Sequence, residues 1–192
     1  MNPFNPNFGK VPQLFLDRNQ IVNEYISELD SNLDSPLQTS VIYGVRGSGK
    51  TSLLTDISNQ LREKGHWIVI DLTTNQNLIP TLTYSLYQEA TSKFQQLIGK
   101  LKGFKVSGFE FQLQNDVPQS IQYQMMLKQI LKQLAEKHIK VLVTLDEVKA
   151  TKEVREFASL YQLLIRENLP IALIMTGLPE NISELQNNSV LT

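Results

Sequence analysis

An eight-residue pattern, Gly44–Thr51, has the residue types and spacing that hold a chain of phosphates. It reads Gly-Val-Arg-Gly-Ser-Gly-Lys-Thr and matches G-x-x-x-x-G-K-[ST]. Glycines let backbone N–H groups turn toward an anion, and a following helix N-terminus adds positive partial charge. Lys50 is predicted to reach the β- and γ-phosphates as a catalytic residue, and the Thr51 hydroxyl to bind Mg²⁺. The predicted nucleotide-binding residues here are Gly44, Val45, Arg46, Gly47, Ser48, Gly49, Lys50, Thr51 and Ser52.

Such a pattern also occurs by chance, so its flanks decide the interpretation. Residues 39–43 contain Val41 and Ile42 and predict a short strand before the loop. Residues 51–64 place an apolar stripe at helical spacing after it, and Gly65 is a stop signal. A strand before the loop and a helix after it are what phosphate binding requires.

An acidic pair, Asp146 and Glu147, follows the apolar run 141–145. The carboxyl ends of parallel strands share one edge of a sheet, so both carboxylates are expected beside the phosphate loop. Asp146 would hold Mg²⁺ opposite Thr51, and Glu147 would polarise the attacking water as general base. The alternative is a solvated acidic turn, which the position in an α/β alternation disfavours.

Three further polar residues have two interpretations each. Thr176, just after the apolar run 171–175, is a catalytic candidate that would touch the γ-phosphate or the water, or is a plain strand-end threonine. Arg46 would face solvent or a partner. Arg166 would be an arginine finger for a neighbouring subunit or a solvated cation near a helix C-terminus.

Residues 104–113 predict a β-hairpin inserted between helices, because apolar residues flank Ser107-Gly108. Three lysines lie at this hairpin and would contact nucleic acid or form a solvated edge: Lys100, Lys102 and Lys105.

The remaining elements predict an α/β domain with a mostly parallel sheet. Helices are expected over 20–33, from Pro80, from Pro118 and after a Thr151 cap, and a further strand over 67–70. The helix after Pro118 is expected to turn five residues toward a core: Ile121, Met125, Ile130, Leu131 and Leu134.

The composition is that of a soluble globular domain. The 192 residues are 41% hydrophobic and 19% charged, with a net charge of −1. That charge provides no global attraction to nucleic acid or to an acidic membrane. Cysteine is absent, which excludes disulfides, thiolate catalysis and cysteine-ligated zinc. No apolar run is long enough to span a bilayer and no signal peptide is evident, so a cytoplasmic location is expected.

Together, several motifs resemble a family of prokaryotic AAA+ ATPases related to the origin-recognition branch and to signal-transduction ATPases with numerous domains. The resemblance spans nearly the whole chain. It rests on the following stretches: Asn2-Pro3-Phe4, Phe8-Gly9-Lys10-Val11-Pro12, Leu16-Asp17-Arg18, the phosphate loop, Leu145-Asp146-Glu147-Val148 and Thr176-Gly177-Leu178-Pro179. One departure is Asp17, which stands where the family usually has glycine.

The resemblance implies a three-layer P-loop core with sheet order 1-4-3-2. It implies that the fifth strand and helical lid of the family are missing, so the chain is expected to be an ATPase core from a longer protein. Residues 1–38 would form an adenine-side segment and first helix, and residues 39–192 the core. The adenine contacts it implies are Val11, Pro12, Phe15 and Arg18.

The expected function is binding of ATP and its Mg²⁺-dependent hydrolysis, with ATP or ADP and Mg²⁺ as cofactors. Nucleotide state would be coupled to a conformational change in a larger protein, with oligomerisation open. Two alternatives remain: a slow nucleotide-gated signalling or scaffold switch with little turnover, and a DNA-associated loader or remodeller. A DNA or protein partner would bind through a missing C-terminal domain or the hairpin, and no membrane contact is expected.

Overall fold

The structure, a computed structural model, describes residues 19–31, 35–99 and 118–187. This part of the chain contains six α-helices: α1 Asn19–Ser31, α2 Lys50–Glu63, α3 Leu78–Gly99, α4 Gln119–Glu136, α5 Lys152–Arg166 and α6 Pro179–Asn187. It also contains four strands: β1 Thr39–Tyr43, β2 Trp67–Thr73, β3 Lys140–Asp146 and β4 Ile171–Gly177. A 3₁₀ turn over Pro36–Gln38 leads into β1.

The four strands form one parallel sheet in the order β1-β4-β3-β2. Both the α/β class and this order were predicted and are confirmed. β1 lies at one edge and pairs with β4, so that Tyr43 is opposite Gly177. The carboxyl ends of β1, β4 and β3 therefore meet at one edge of the sheet, where the phosphate loop begins.

Helices cover both faces of the sheet and make three layers. On one face α1 and α2 bury a smaller cluster that includes the strand residues Trp67, Val69, Leu142, Ala172 and Ile174. On the other, α3, α4, α5 and α6 bury a larger cluster that includes Ile68, Ile70, Val141, Val143 and Leu173. Alternate residues of each strand enter opposite clusters, so the strands read as continuous apolar runs.

Local sequence signals set several helix starts. The Thr151 hydroxyl accepts a hydrogen bond from Val154 N–H at 3.3 Å and caps α5, as predicted. Pro118 stands immediately before α4, and Pro80 lies in the first turn of α3. Within the described ranges no helix is both long and apolar enough to cross a membrane.

Two expectations about the inner face of α4 are wrong. Ile121 and Met125 were expected toward a core, but they are 45% and 59% exposed. The other three expected residues, Ile130, Leu131 and Leu134, are buried as predicted, together with Leu127. Apolar residues of α4 occupy two stripes, and contact with the sheet and α3 decides which stripe is covered. The predicted hairpin at 104–113 and its three lysines lie outside the described residues.

Asp30 ties the end of α1 to the start of β2, at the opposite end of the strands from the phosphate loop. Its carboxylate accepts hydrogen bonds from Lys64 Nζ at 2.7 Å, His66 Nε2 at 2.5 Å and Trp67 Nε1 at 2.8 Å. Lys140 Nζ lies 5.6 Å from the centre of the Trp67 ring. Burial alone would raise the pKa of Asp30, but these hydrogen bonds hold it well below its usual range.

Candidate nucleotide site

The loop Gly44–Gly49 connects the end of β1 to the start of α2. Gly47 and Gly49 have φ angles of 77° and 80°, in the left-handed region that glycine adopts without a Cβ clash. Gly49 is the N-cap of α2, and its carbonyl accepts the Leu53 N–H at 3.0 Å. The loop therefore leads directly into the N-terminus of α2, whose positive partial charge would favour a phosphate chain.

Lys50 folds back over the loop that precedes it. Its Nζ donates hydrogen bonds to the carbonyl oxygens of Gly44 at 2.8 Å and Val45 at 3.0 Å. The ammonium group thus lies over the mouth of the loop, where it can exchange a carbonyl partner for a phosphate oxygen. Val45 and Arg46 are exposed, and Ser52 is exposed on the first turn of α2.

The phosphate loop and the acidic strand end are in direct contact. The Thr51 hydroxyl donates to Asp146 Oδ2 at 2.8 Å, although the two residues are 95 positions apart. Asp146 is the last residue of β3 and Thr51 lies in the first turn of α2. The structure therefore brings together the two residues that the sequence proposed as Mg²⁺ ligands.

Thr176 lies within β4, one strand from Asp146, and is fully buried. It was expected just beyond the strand. Its hydroxyl donates to Asp146 Oδ1 and accepts the Glu147 N–H at 3.0 Å. The same Glu147 N–H also lies 3.1 Å from Asp146 Oδ1. Thr176 thus holds the acidic pair in place, and its hydroxyl is already hydrogen-bonded.

Glu147 has an uncommon backbone conformation for its residue type. Its φ is 52°, in the left-handed region where glycine is favoured, and its side chain is exposed. Strain of this kind costs about 1–3 kcal/mol and persists where surrounding contacts hold it. Here the two hydrogen bonds that the Glu147 N–H donates fix the backbone. The side chain extends from the end of the strand toward solvent.

The oxygen donors at this edge suit a hard divalent cation. Thr51 offers a hydroxyl and Asp146 a carboxylate, which with phosphate oxygens and water form the kind of donor set that Mg²⁺ takes. No group of three or more His, Cys, Asp or Glu residues that could hold a metal occurs in the described ranges. A Mg²⁺ ion at this site would therefore depend on the nucleotide for ligands.

Gly177 is a site residue that the sequence reasoning overlooked. It follows Thr176, and its carbonyl oxygen accepts the N–H of Gly44, the first residue of the loop, at 3.4 Å. A glycine at the end of an apolar strand is a known sign of close backbone approach, and could have drawn attention to it.

Of the remaining predicted residues, the structure describes the candidate arginine finger alone. Arg166 ends α5 and is exposed. The implied adenine contacts Val11, Pro12, Phe15 and Arg18 lie outside the described residues.

A sequence-family model described as an ATPase domain predominantly from Archaea matches residues 15–168. Among curated proteins, none matches the sequence.

Two solved structures are similar in fold. The crystal structure of Cdc6p from Pyrobaculum aerophilum is 15% identical with a TM-score of 0.50, over 96% of this chain and 46% of that one. The structure of Drosophila ORC bound to DNA is 16% identical with a TM-score of 0.47, over 86% of this chain and 38% of that one. This chain spans less than half the length of either. The Cdc6p similarity extends to fold alone and agrees with the predicted P-loop architecture.

Proposed function

Because the chain belongs to the family of ATPase domains predominantly from Archaea, we propose that it binds ATP and hydrolyses it with Mg²⁺. The observation that carries the proposal is the hydrogen bond of 2.8 Å between Thr51 and Asp146. It joins the glycine-rich phosphate loop to the carboxylate at the end of β3. Ordinary loop and strand residues would serve a purely structural role equally well. The combination of this loop with this carboxylate therefore favours a role in nucleotide binding.

Each residue of the site has a separate task in this proposal. Backbone N–H groups of the loop and the Lys50 ammonium hold the β- and γ-phosphates. Thr51 and Asp146 would hold Mg²⁺, which when bound neutralises charge that develops on the phosphate oxygens. Glu147 accepts a proton from the attacking water. Thr176 orients Asp146 and the Glu147 backbone through its hydroxyl.

The nucleotide state would be transmitted through the turn after β3. Three residues, 148–150, link the acidic pair Asp146 and Glu147 to the Thr151 cap of α5. A shift of the acidic pair on hydrolysis would therefore displace the start of α5. This supports a switch or motor within a larger protein, with ATP turnover as the driving step.

A thermal-shift titration tests nucleotide binding. Mg²⁺ with ATP or ADP at a hundredfold excess over its dissociation constant should stabilise the fold by about 2.7 kcal/mol. For a domain of this size that is a rise of roughly 5–11 °C in Tm. AMP should cause little change, because it lacks the phosphates that Lys50 and Thr51 would engage. Equal stabilisation by AMP would mean that the base, and not the loop, provides the affinity.

A slow scaffold switch uses the same residues and differs in rate. Release of phosphate from ATP, measured with and without duplex DNA, separates the alternatives. Turnover that rises with DNA favours a DNA-associated remodeller. Tight nucleotide binding with turnover near background, unaffected by DNA, favours the scaffold switch.

A further inference from the structure

Gly177 touches both halves of the proposed site. Its carbonyl oxygen accepts the Gly44 N–H at 3.4 Å, which extends the β1–β4 ladder by one step into the phosphate loop. On its other side it lies against the side chains of Val148 and Ile182. Val148 directly follows Glu147, the proposed general base.

A methyl group on the Gly177 Cα would fit only if the neighbouring side chains shifted. A Cβ would lie 2.8 Å from Cδ1 of Ile182 and 3.2 Å from Cγ2 of Val148. Ile182 is 3% exposed and Val148 is fully buried, so each can move only by pushing its own neighbours. The φ of Gly177 is outside the left-handed region, so the obstruction comes from these neighbours and not from the backbone.

A displacement of Val148 would reach Glu147. The Val148 N–H donates to the Thr176 carbonyl at 2.8 Å, and Glu147 holds a φ of 52° between two fixed points. The backbone dihedral angles of a residue held in this conformation cannot readily adjust when its neighbour moves. The Glu147 carboxylate would therefore change its position relative to the loop.

We propose that Gly177 is a positioning residue for ATP hydrolysis. The absence of its side chain lets Val148 pack against β4, and this packing sets where Glu147 stands. The inference rests on the proposed function and adds a residue to it. Because substitution leaves the Gly177 carbonyl in place, the anchor of the phosphate loop survives, and nucleotide binding should separate from turnover.

The test compares Gly177→Ala with Gly65→Ala, a matched control in which a Cβ meets nothing within 4 Å. For each variant, ATP turnover is measured at saturating nucleotide and ADP affinity by titration calorimetry. Gly177→Ala should lower kcat severalfold, up to roughly tenfold, because Val148 must shift by a few tenths of an ångström, whereas a misplacement of about 1 Å can cost a hundredfold. Its ADP affinity should stay close to that of wild type, and Gly65→Ala should preserve both quantities.

Two second-site changes identify the route of the effect. In the Gly177→Ala background, Val148→Ala removes both γ-methyl groups, including the Cγ2 that meets the new Cβ, and should restore most of the lost turnover. Ile182→Val relieves the closer contact and should restore melting temperature without restoring kcat. Where Gly177→Ala alone melts below the assay temperature, the two double variants provide the same comparison.

Other outcomes overturn the inference. Wild-type kcat in a folded Gly177→Ala protein, or recovery of kcat through Ile182→Val alone, would mean that Gly177 serves packing only. A parallel loss of ADP affinity would mean that it acts on the loop instead of Glu147. Wild-type protein that binds no ADP would overturn the proposed function itself, and the inference with it.

Discussion

The Thr51 hydroxyl donates a hydrogen bond to Asp146 Oδ2 at 2.8 Å, which joins the first turn of α2 to the last residue of β3. The strand order makes this contact feasible, because β4 alone separates β1 from β3. The contact defines where Mg²⁺ and the phosphates would lie, and the predictions about the site follow from it.

Lys50→Ala should abolish nucleotide affinity and leave the fold intact. The Lys50 ammonium bonds two loop carbonyls and contributes no side chain to either buried cluster. Circular dichroism should match the wild type, and the rise in Tm with ADP should disappear. The control is Lys152→Ala, whose side chain is 83% exposed on α5 and should keep the full shift. Unchanged ADP affinity in Lys50→Ala would refute the phosphate-loop assignment.

Substitutions of the acidic pair should separate binding from chemistry. Glu147→Gln keeps the volume of the side chain but cannot accept a proton, so ATP should still bind while hydrolysis falls. Asp146→Asn should instead weaken the Mg²⁺ dependence of nucleotide binding. Calorimetry with and without Mg²⁺, beside a phosphate-release assay, distinguishes the two. Equal effects on binding would show that the roles are assigned wrongly.

Thr176→Val should reduce both stability and turnover. The buried hydroxyl donates to Asp146 and accepts the Glu147 N–H, and its loss removes one hydrogen-bond partner from each. Loss of such a partner costs about 1–3 kcal/mol in the free energy of unfolding, which a denaturant titration measures. Thr176→Ser retains the hydroxyl and should recover most of the turnover. Full activity in Thr176→Val would contradict a positioning role.

Asp30 should make stability depend on acid pH. Its pKa is depressed in the folded state, so the folded protein resists protonation more than the unfolded chain does. The resulting stability is present above the unfolded pKa, near 4, and is lost as pH falls toward the folded pKa. Asp30→Asn should flatten the Tm profile below about pH 4.

Much of the fold could be predicted because parallel strands buried on both faces have a simple signature. Residues 171–175 are a continuous apolar run and residues 141–145 are apolar except for Thr144, and both are strands. The strand over 67–70 was predicted too short, since β2 continues to Thr73. Its extension contains Asp71, which bonds Thr144 and Arg62 across the surface of the sheet. A polar residue whose partners are distant in sequence gives no local signal of strand structure.

The site was predicted in its residue types but not in its backbone geometry. The loop and the acidic pair were predicted from residue spacing together with the strands and helix expected around them, and the contact between Thr51 and Asp146 follows from the strand order. The left-handed conformation of Glu147 could not be predicted, because the position is not occupied by glycine. Likewise, the Thr176 hydroxyl meets Asp146 and the Glu147 N–H, which lie 30 and 29 positions earlier, only in the folded chain.

The position of β1 beside β4 has a consequence for the time at which the site can form. Gln38, just before β1, donates its side-chain N–H to the Ile171 carbonyl, 133 positions later. At about 5–20 residues per second, a ribosome needs roughly 7–27 seconds to synthesise that interval. The phosphate loop is synthesised early, but β1, the strand that leads into it, pairs with β4, which is synthesised much later. Nascent chains that end before β4 should therefore show no stabilisation by ADP, whereas those that extend beyond α6 should gain it in one step.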